Sequence, residues 1–188
     1  MGARRRIGAG RRIGVRAMSA LTMLVLLAGC TGTPAPAVTT MQTYAIADRA
    51  PAPQLTGELL DGGEFRGADH AGDVIVVNFW GSWCPPCRVE ADDLEQTYLA
   101  TKEKGVTFVG INVRDTRDAA RSFALGTSTY PSIFDPESRL ALGFEVPPTA
   151  IPSTIIIDRQ GRVAMITRST VLRDDLERLV TQVAQESQ

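Results

Sequence analysis

The chain has 188 residues, 44 % of them apolar, with 20 basic and 21 acidic side chains, one histidine and three cysteines; that apolar share is ordinary globular usage and excludes an intrinsically disordered chain. Arg4, Arg5, Arg6, Arg11, Arg12 and Arg16 all precede residue 30 and no Asp or Glu does, so the remainder carries 14 basic against 21 acidic groups, a net charge near −7. Such an acidic body, with no Lys/Arg cluster to displace phosphate counterions, excludes a nucleic-acid binder.

The arginines lead into an apolar run at residues 20–28. Nine helical residues rise only about 14 Å against about 30 Å of bilayer hydrocarbon, too short to span it. A cationic stretch, a short apolar run and small residues after it make a secretory signal peptide over residues 1–29. The ending Leu27-Ala28-Gly29-Cys30 resembles the lipobox of bacterial lipoproteins, which implies that Cys30 becomes the first mature residue and carries the lipid. Residues 30–53 are rich in Thr, Ala and Pro, including Pro34, Pro36, Pro51 and Pro53, and read as an extended tether. Residues 54–185 remain for one domain, enough to bury a sizeable core.

Within that domain, strands around residues 55–60 and 64–65 flank Asp61-Gly62-Gly63, a hairpin signal. The run Val74-Ile75-Val76-Val77-Asn78-Phe79 is β-branched without alternation, as in a strand covered on both faces. Residues 86–104 predict a helix stopped by Gly105, followed by a strand over 106–113. Asp115 or Thr116 is placed to cap a helix through about Leu125. A short strand over 132–134 and a helical turn over 136–142 come next. Strands over 154–158 and 163–167 flank a turn at Arg159-Gln160-Gly161, and Val171, Leu172, Leu176, Leu179, Val180 and Val183 recur at helical spacing in a final amphipathic helix. Strands alternating with helices give an α/β domain.

Trp83-Cys84-Pro85-Pro86-Cys87 stands where the buried strand ends and the long helix begins. A cysteine ahead of a helix N-terminus faces unsatisfied amides and the positive end of the helix dipole, so its thiolate is favoured. Two intervening residues let Cys87 reach Cys84 and resolve a mixed disulfide formed there. Pro86 suits the first helical turn, but Pro85 and Pro86 together remove two amides that otherwise donate to sulfur. A less stabilised thiolate favours the disulfide, hence a more reducing couple. Other uses of the pair fit less well. Zinc needs four ligands, and Cys84, Cys87 and His70 offer three; haem attachment needs a histidine where Arg88 stands. Glu90, one turn after Cys87 on the same face, is placed to raise the thiol pKa values by like-charge repulsion and to pass a proton, against the plainer alternative of a solvated glutamate beside Asp92, Asp93 and Glu95. Trp83 belongs to an apolar platform around Cys84, while Trp80 reads as packing and His70 as a surface residue. Arg114, Arg117 and Arg121 read as a solvated basic group on the helix after residue 115.

The segment Val77-Asn78-Phe79-Trp80-Gly81-Ser82-Trp83-Cys84-Pro85-Pro86-Cys87-Arg88-Val89-Glu90, with Ile151-Pro152-Ser153-Thr154, resembles the exported thioredoxin-like proteins of the TlpA, ResA and DsbE kind. The resemblance implies an α/β thioredoxin-like fold, a mixed central sheet flanked by helices, with an N-terminal β-hairpin and a helix-strand insert over residues 115–135. It implies a thiol-disulfide oxidoreductase tethered outside the inner membrane, with Cys84 attacking and Cys87 resolving, needing no dissociable cofactor. Pro152 matches the proline held in cis beside the disulfide, and Ile151 before it offers backbone N–H and C=O to an extended substrate. Implied partners are exported thiol or disulfide proteins, apocytochrome c among them, and a membrane thiol donor of electrons. Where classical thioredoxins bury an Asp in the central strand, Asn78 stands here, leaving Glu90, water or the substrate as proton acceptor. A disulfide-donating oxidase is the rival in the same class. A copper or haem chaperone lacks the histidine and thiol spacing it needs, and a peroxidase lacks its Thr-x-x-Cys motif, since Ser82 and Trp83 precede Cys84.

Overall fold

A computed structural model describes residues 41–186 of the chain. The signal segment, Cys30 and the first part of the tether lie outside the described residues. The strands are Met41–Thr43 (β1), Thr56–Glu58 (β2), Glu64–Arg66 (β3), Val74–Trp80 (β4), Val106–Val113 (β5), Ser132–Asp135 (β6), Ser153–Ile157 (β7) and Val163–Thr167 (β8); the helices are Pro85–Thr101 (α1), Arg117–Ala124 (α2), Arg139–Gly143 (α3) and Arg173–Ala184 (α4). Six strands form one mixed sheet in the order β1-β8-β7-β4-β5-β6, with β4, β5 and β6 parallel and β7, β8 and β1 antiparallel to their neighbours. The hairpin β2-β3 forms a second, two-stranded sheet joined to β6 by the Leu59–Ile133 bridge and by Leu60 N–H donating to the Ser132 carbonyl at 2.9 Å.

Strand β4 explains the layering. Its side chains alternate between faces, and both sets are apolar. Val74 and Val76 join Leu94 of α1 and Leu176, Val180 and Val183 of α4 on one side. Ile75, Val77 and Phe79 join Phe65, Ile133, Phe144 and Val146 on the other. A third cluster, at the C-terminal end of β4, gathers Leu60, Trp80, Cys84, Cys87 and Ala120. Helix α1 begins at Pro85, whose absent N–H is no loss in the first turn, and its trailing 3-10 turn ends at Gly105, whose φ of 71° suits a residue without Cβ. Helix α3 is held by Asp135, whose carboxylate accepts from the amides of Arg139 (2.9 Å) and Leu140 (2.9 Å).

The domain begins earlier than the composition suggests. β1 pairs with β8, Ala52 N–H donates to the Gly161 carbonyl at 2.8 Å and Val163 N–H to the Ala50 carbonyl at 2.9 Å, so residues 41–53 belong to the sheet edge rather than to a tether. Edge pairing uses the backbone and tolerates prolines, so no apolar pattern betrays it. Arg49, from this segment, is buried against Asp158 at 3.1 Å.

Candidate active site

The loop from Gly81 to Cys84 carries the chain from the end of β4 into α1, and its geometry is fixed from three sides. Asp115, at the end of β5, accepts from Ser82 N–H (2.6 Å) and Ser82 Oγ (2.9 Å), while Asn112 Nδ2 (3.0 Å) and Thr116 N–H (2.9 Å) complete its shell. Arg88 Nη1 donates back to the Ser82 carbonyl at 3.2 Å. The Trp83 indole lies on Gly81, where an added Cβ would stand 2.7 Å from Nε1, so only glycine lets the ring fold back over the loop.

Cys84 is the N-cap of α1, and its sulfur accepts from Cys87 N–H at 3.3 Å. With Pro85 and Pro86 at the first two helical positions and carrying no N–H, that amide is the donor the helix start provides. The two sulfurs are joined in a disulfide, with Cα atoms 5.3 Å apart. Cys84 is 2 % and Cys87 3 % exposed, whereas Trp83 is 47 % exposed and Pro85 and Pro86 are open to solvent. The Ile151-Pro152 bond is cis. Because Ser153 pairs with Phe79, Pro152 falls at the end of the sheet where β4 delivers the loop, and Ile151 packs against the cluster that contains both cysteines.

Glu90 is not solvated. It is wholly buried; Oε1 accepts from Asn78 Nδ2 at 2.8 Å and Oε2 from Val171 N–H at 3.0 Å. Burial away from water pushes its pKa up to about 7, against the two hydrogen bonds that favour the charge and with a small addition from Asp93. Asn78, in the central strand, also donates to Thr154 Oγ1 at 3.1 Å, so it ties β4, β7 and α1 together. Glu95 is turned inward as well, accepting from Thr129 N–H (2.9 Å) and Oγ1 (2.7 Å).

Several sequence expectations need revision. The arginines do not form one solvated group: Arg117 pairs with Glu58 and donates to the Leu59 and Leu60 carbonyls, and Arg121 pairs with Asp61, so both fasten the β2-β3 hairpin to α2. Arg114 precedes the helix and lies over Trp83. His70 is half-buried rather than superficial, stacked on Phe65 at 5.0 Å and bonded to Thr107 Oγ1 at 3.2 Å. Asp115 is not the helix cap, a role Thr116 takes; its function as loop clamp had no signal in the sequence beyond its place at a strand end. Trp80 is packing, its ring 5.5 Å from that of Phe123.

A cysteine pair on the first turn of a helix, fed by a buried central strand and faced by a cis-proline loop, defines a thioredoxin-like thiol-disulfide oxidoreductase. The chain belongs to the AhpC/TSA family, whose model matches residues 46–166, and within it to the ResA- and DsbE-like thiol-disulfide oxidoreductases. It is 32 % identical over 135 residues to the thiol-disulfide oxidoreductase ResA of Geobacillus kaustophilus, covering 71 % of this chain and 76 % of that one. Among solved structures it is similar to a secreted thiol-disulfide isomerase from Corynebacterium glutamicum (34 % identity, TM-score 0.76, 81 % of this chain and 96 % of that one). It is also similar to a DsbF homologue from Corynebacterium diphtheriae (36 % identity, TM-score 0.74, 79 % and 96 %).

Proposed function

We propose that this enzyme works outside the cytoplasm, held to the membrane through a lipid on Cys30, as a reductant of disulfides in exported polypeptides, apocytochrome c before haem attachment among them. The donor set at Cys84 carries the direction: with Pro85 and Pro86 supplying no N–H, the Cys87 amide serves its sulfur at the helix start. A thiolate with few donors gains less from reduction, which favours the disulfide and makes the couple a better electron source.

In the proposed cycle the Cys84 thiolate attacks one sulfur of the substrate disulfide and expels the other as a thiolate. Cys87, losing its proton to Glu90 or water, attacks the Cys84 sulfur, closes the Cys84–Cys87 disulfide and releases the second substrate thiolate. The substrate gains two electrons and the enzyme loses two, which a membrane thiol donor returns. Pro152 keeps the facing loop open to an extended chain, Ile151 offers it backbone N–H and C=O, and Trp83, Pro85 and Pro86 supply the apolar contact around the sulfur.

Trapping tests the assignment of roles. Cys87→Ser is expected to leave mixed disulfides between Cys84 and exported proteins, and Cys84→Ser to leave none; stalled species at Cys87 alone would overturn the order of attack.

A further inference from the structure

Most arginines among the described residues have carboxylate partners. Arg117 and Arg121, next to the active end of the sheet, are paired with Glu58 and Asp61, and Arg49, Arg162, Arg173 and Arg178 are paired elsewhere. Two arginines beside the disulfide are different. Arg88 follows Cys87 directly and lays its guanidinium over the Phe123 ring at 5.0 Å, while Arg114 lays its own over Trp83 at 5.5 Å. Both are exposed, and among the described residues neither forms an ion pair.

The nearby carboxylates are engaged elsewhere. Asp92, one turn along α1 from Arg88, accepts from Gln96 at 3.5 Å, and both oxygens of Asp115 are taken by Ser82, Asn112 and Thr116. Arg114 also holds a φ of 52°, a left-handed conformation that costs a residue with a Cβ free energy a glycine would avoid. That conformation places the guanidinium on the exposed indole next to Cys84. Stacking on an aromatic face leaves the planar edge of a guanidinium to donate to a carboxylate, the whole edge in Arg114 and the remaining N–H groups in Arg88, whose Nη1 also donates to the Ser82 carbonyl at 3.2 Å. Around these two edges the surface is apolar and open: Trp83, Pro85, Pro86 and Val89, the last 75 % exposed.

We propose that Arg88 and Arg114 form a carboxylate-reading rim, so that the enzyme prefers polypeptides with Asp or Glu beside the reacting cysteine over those with Lys or Arg there. The proposal rests on the oxidoreductase reading and names the substrate class for that site. Charge complementarity acts at contact range; the net negative body repels acidic chains only weakly beyond a Debye length of about 8 Å at physiological salt. The rim therefore selects among segments already docked rather than steering whole proteins.

Three peptides with an intramolecular disulfide, identical except that Glu, Gln or Lys flanks the cysteine, test this against the reduced full-length chain. The readout is the Glu-to-Lys ratio of kcat/KM within each variant, so a general loss of activity cancels. The wild type is expected to favour Glu by about fivefold at low ionic strength, with the ratio shrinking as salt rises. Arg88→Gln/Arg114→Gln is expected to bring the ratio below about twofold, and Arg114→Glu to invert it. A wild-type ratio at or below one, or a preference kept intact in the double variant, overturns the rim. If none of the peptides exchanges although dithiothreitol still reduces the Cys84–Cys87 disulfide, the oxidoreductase reading itself fails.

Discussion

Two buried carboxylates at opposite ends of the sheet are treated in opposite ways. Asp158 follows β7 at the end where Ile157 pairs with Ile75, and it is surrounded by charge and amides: Arg49 Nη1 at 3.1 Å, Arg162 Nε at 3.0 Å, and the N–H groups of Gln160 and Arg162 at 3.0 and 2.9 Å. Burial pushes its pKa up, but those hydrogen bonds outweigh it and hold the group below its usual value. Glu90, near the disulfide, is served by one side-chain amide and one backbone N–H and no cation, so burial wins and the group sits at about 7. The far end is locked in a charged state, whereas the active end keeps a carboxylate poised to take up or give a proton at neutral pH.

The contrast is broken most severely at Asp158. Asp158→Ala strips the buried Arg49 of one partner and is expected to cost about 3 kcal/mol in denaturant unfolding, with the Glu90-dependent pH profile of exchange left in place. The lowered pKa of Asp158 means its contribution is present at neutral pH and disappears as pH falls through the folded value.

Glu90 has the reverse sign. Its folded state holds the proton to a higher pH than the unfolded chain, so stability falls as pH rises from about 4.5 to about 7, by about 3 kcal/mol, and levels off above. Glu90→Gln is expected to flatten that slope in unfolding midpoints and to remove the inflection near pH 7 from thiol-exchange rates. A wild-type inflection retained in the variant would assign the proton transfer to water or substrate.

Asp115 sharpens the comparison from the loop side. Asp115→Ala leaves Ser82 N–H and Thr116 N–H without their acceptor and is expected to cost about 2 kcal/mol and to slow exchange about tenfold by loosening the loop that presents Cys84. Ser82→Ala, which keeps the backbone bond, is expected to lose about twofold. Equal rates in all three proteins would show that the loop needs no clamp.

Much of this was legible in the sequence because local residues determine it. The β-branched run of β4 spells burial on both faces, and the two cysteines follow it at a helix start whose prolines declare the first turn. Ile151-Pro152 was placed by resemblance, and the sheet register brings it to the same end. What stayed hidden depends on distant partners or on backbone alone. Glu90 stands out in the sequence by its place one turn after Cys87, but its burial does not, since its partners lie 12 and 81 positions away. Residues 41–53 pair through main-chain groups at a sheet edge, which imposes no side-chain pattern. Asp115 resembled a helix cap because the clamp it forms spans 33 positions.

The reduction potential of the Cys84/Cys87 couple in the full-length chain, measured by equilibration with glutathione or dithiothreitol, tests the proposed direction of electron flow most directly. Each ~30 mV is a tenfold change in equilibrium constant. A value at or below that of thioredoxin, about −270 mV, is expected for a reductant with so few donors at Cys84; a value near about −120 mV, as for a strong oxidant, would contradict it.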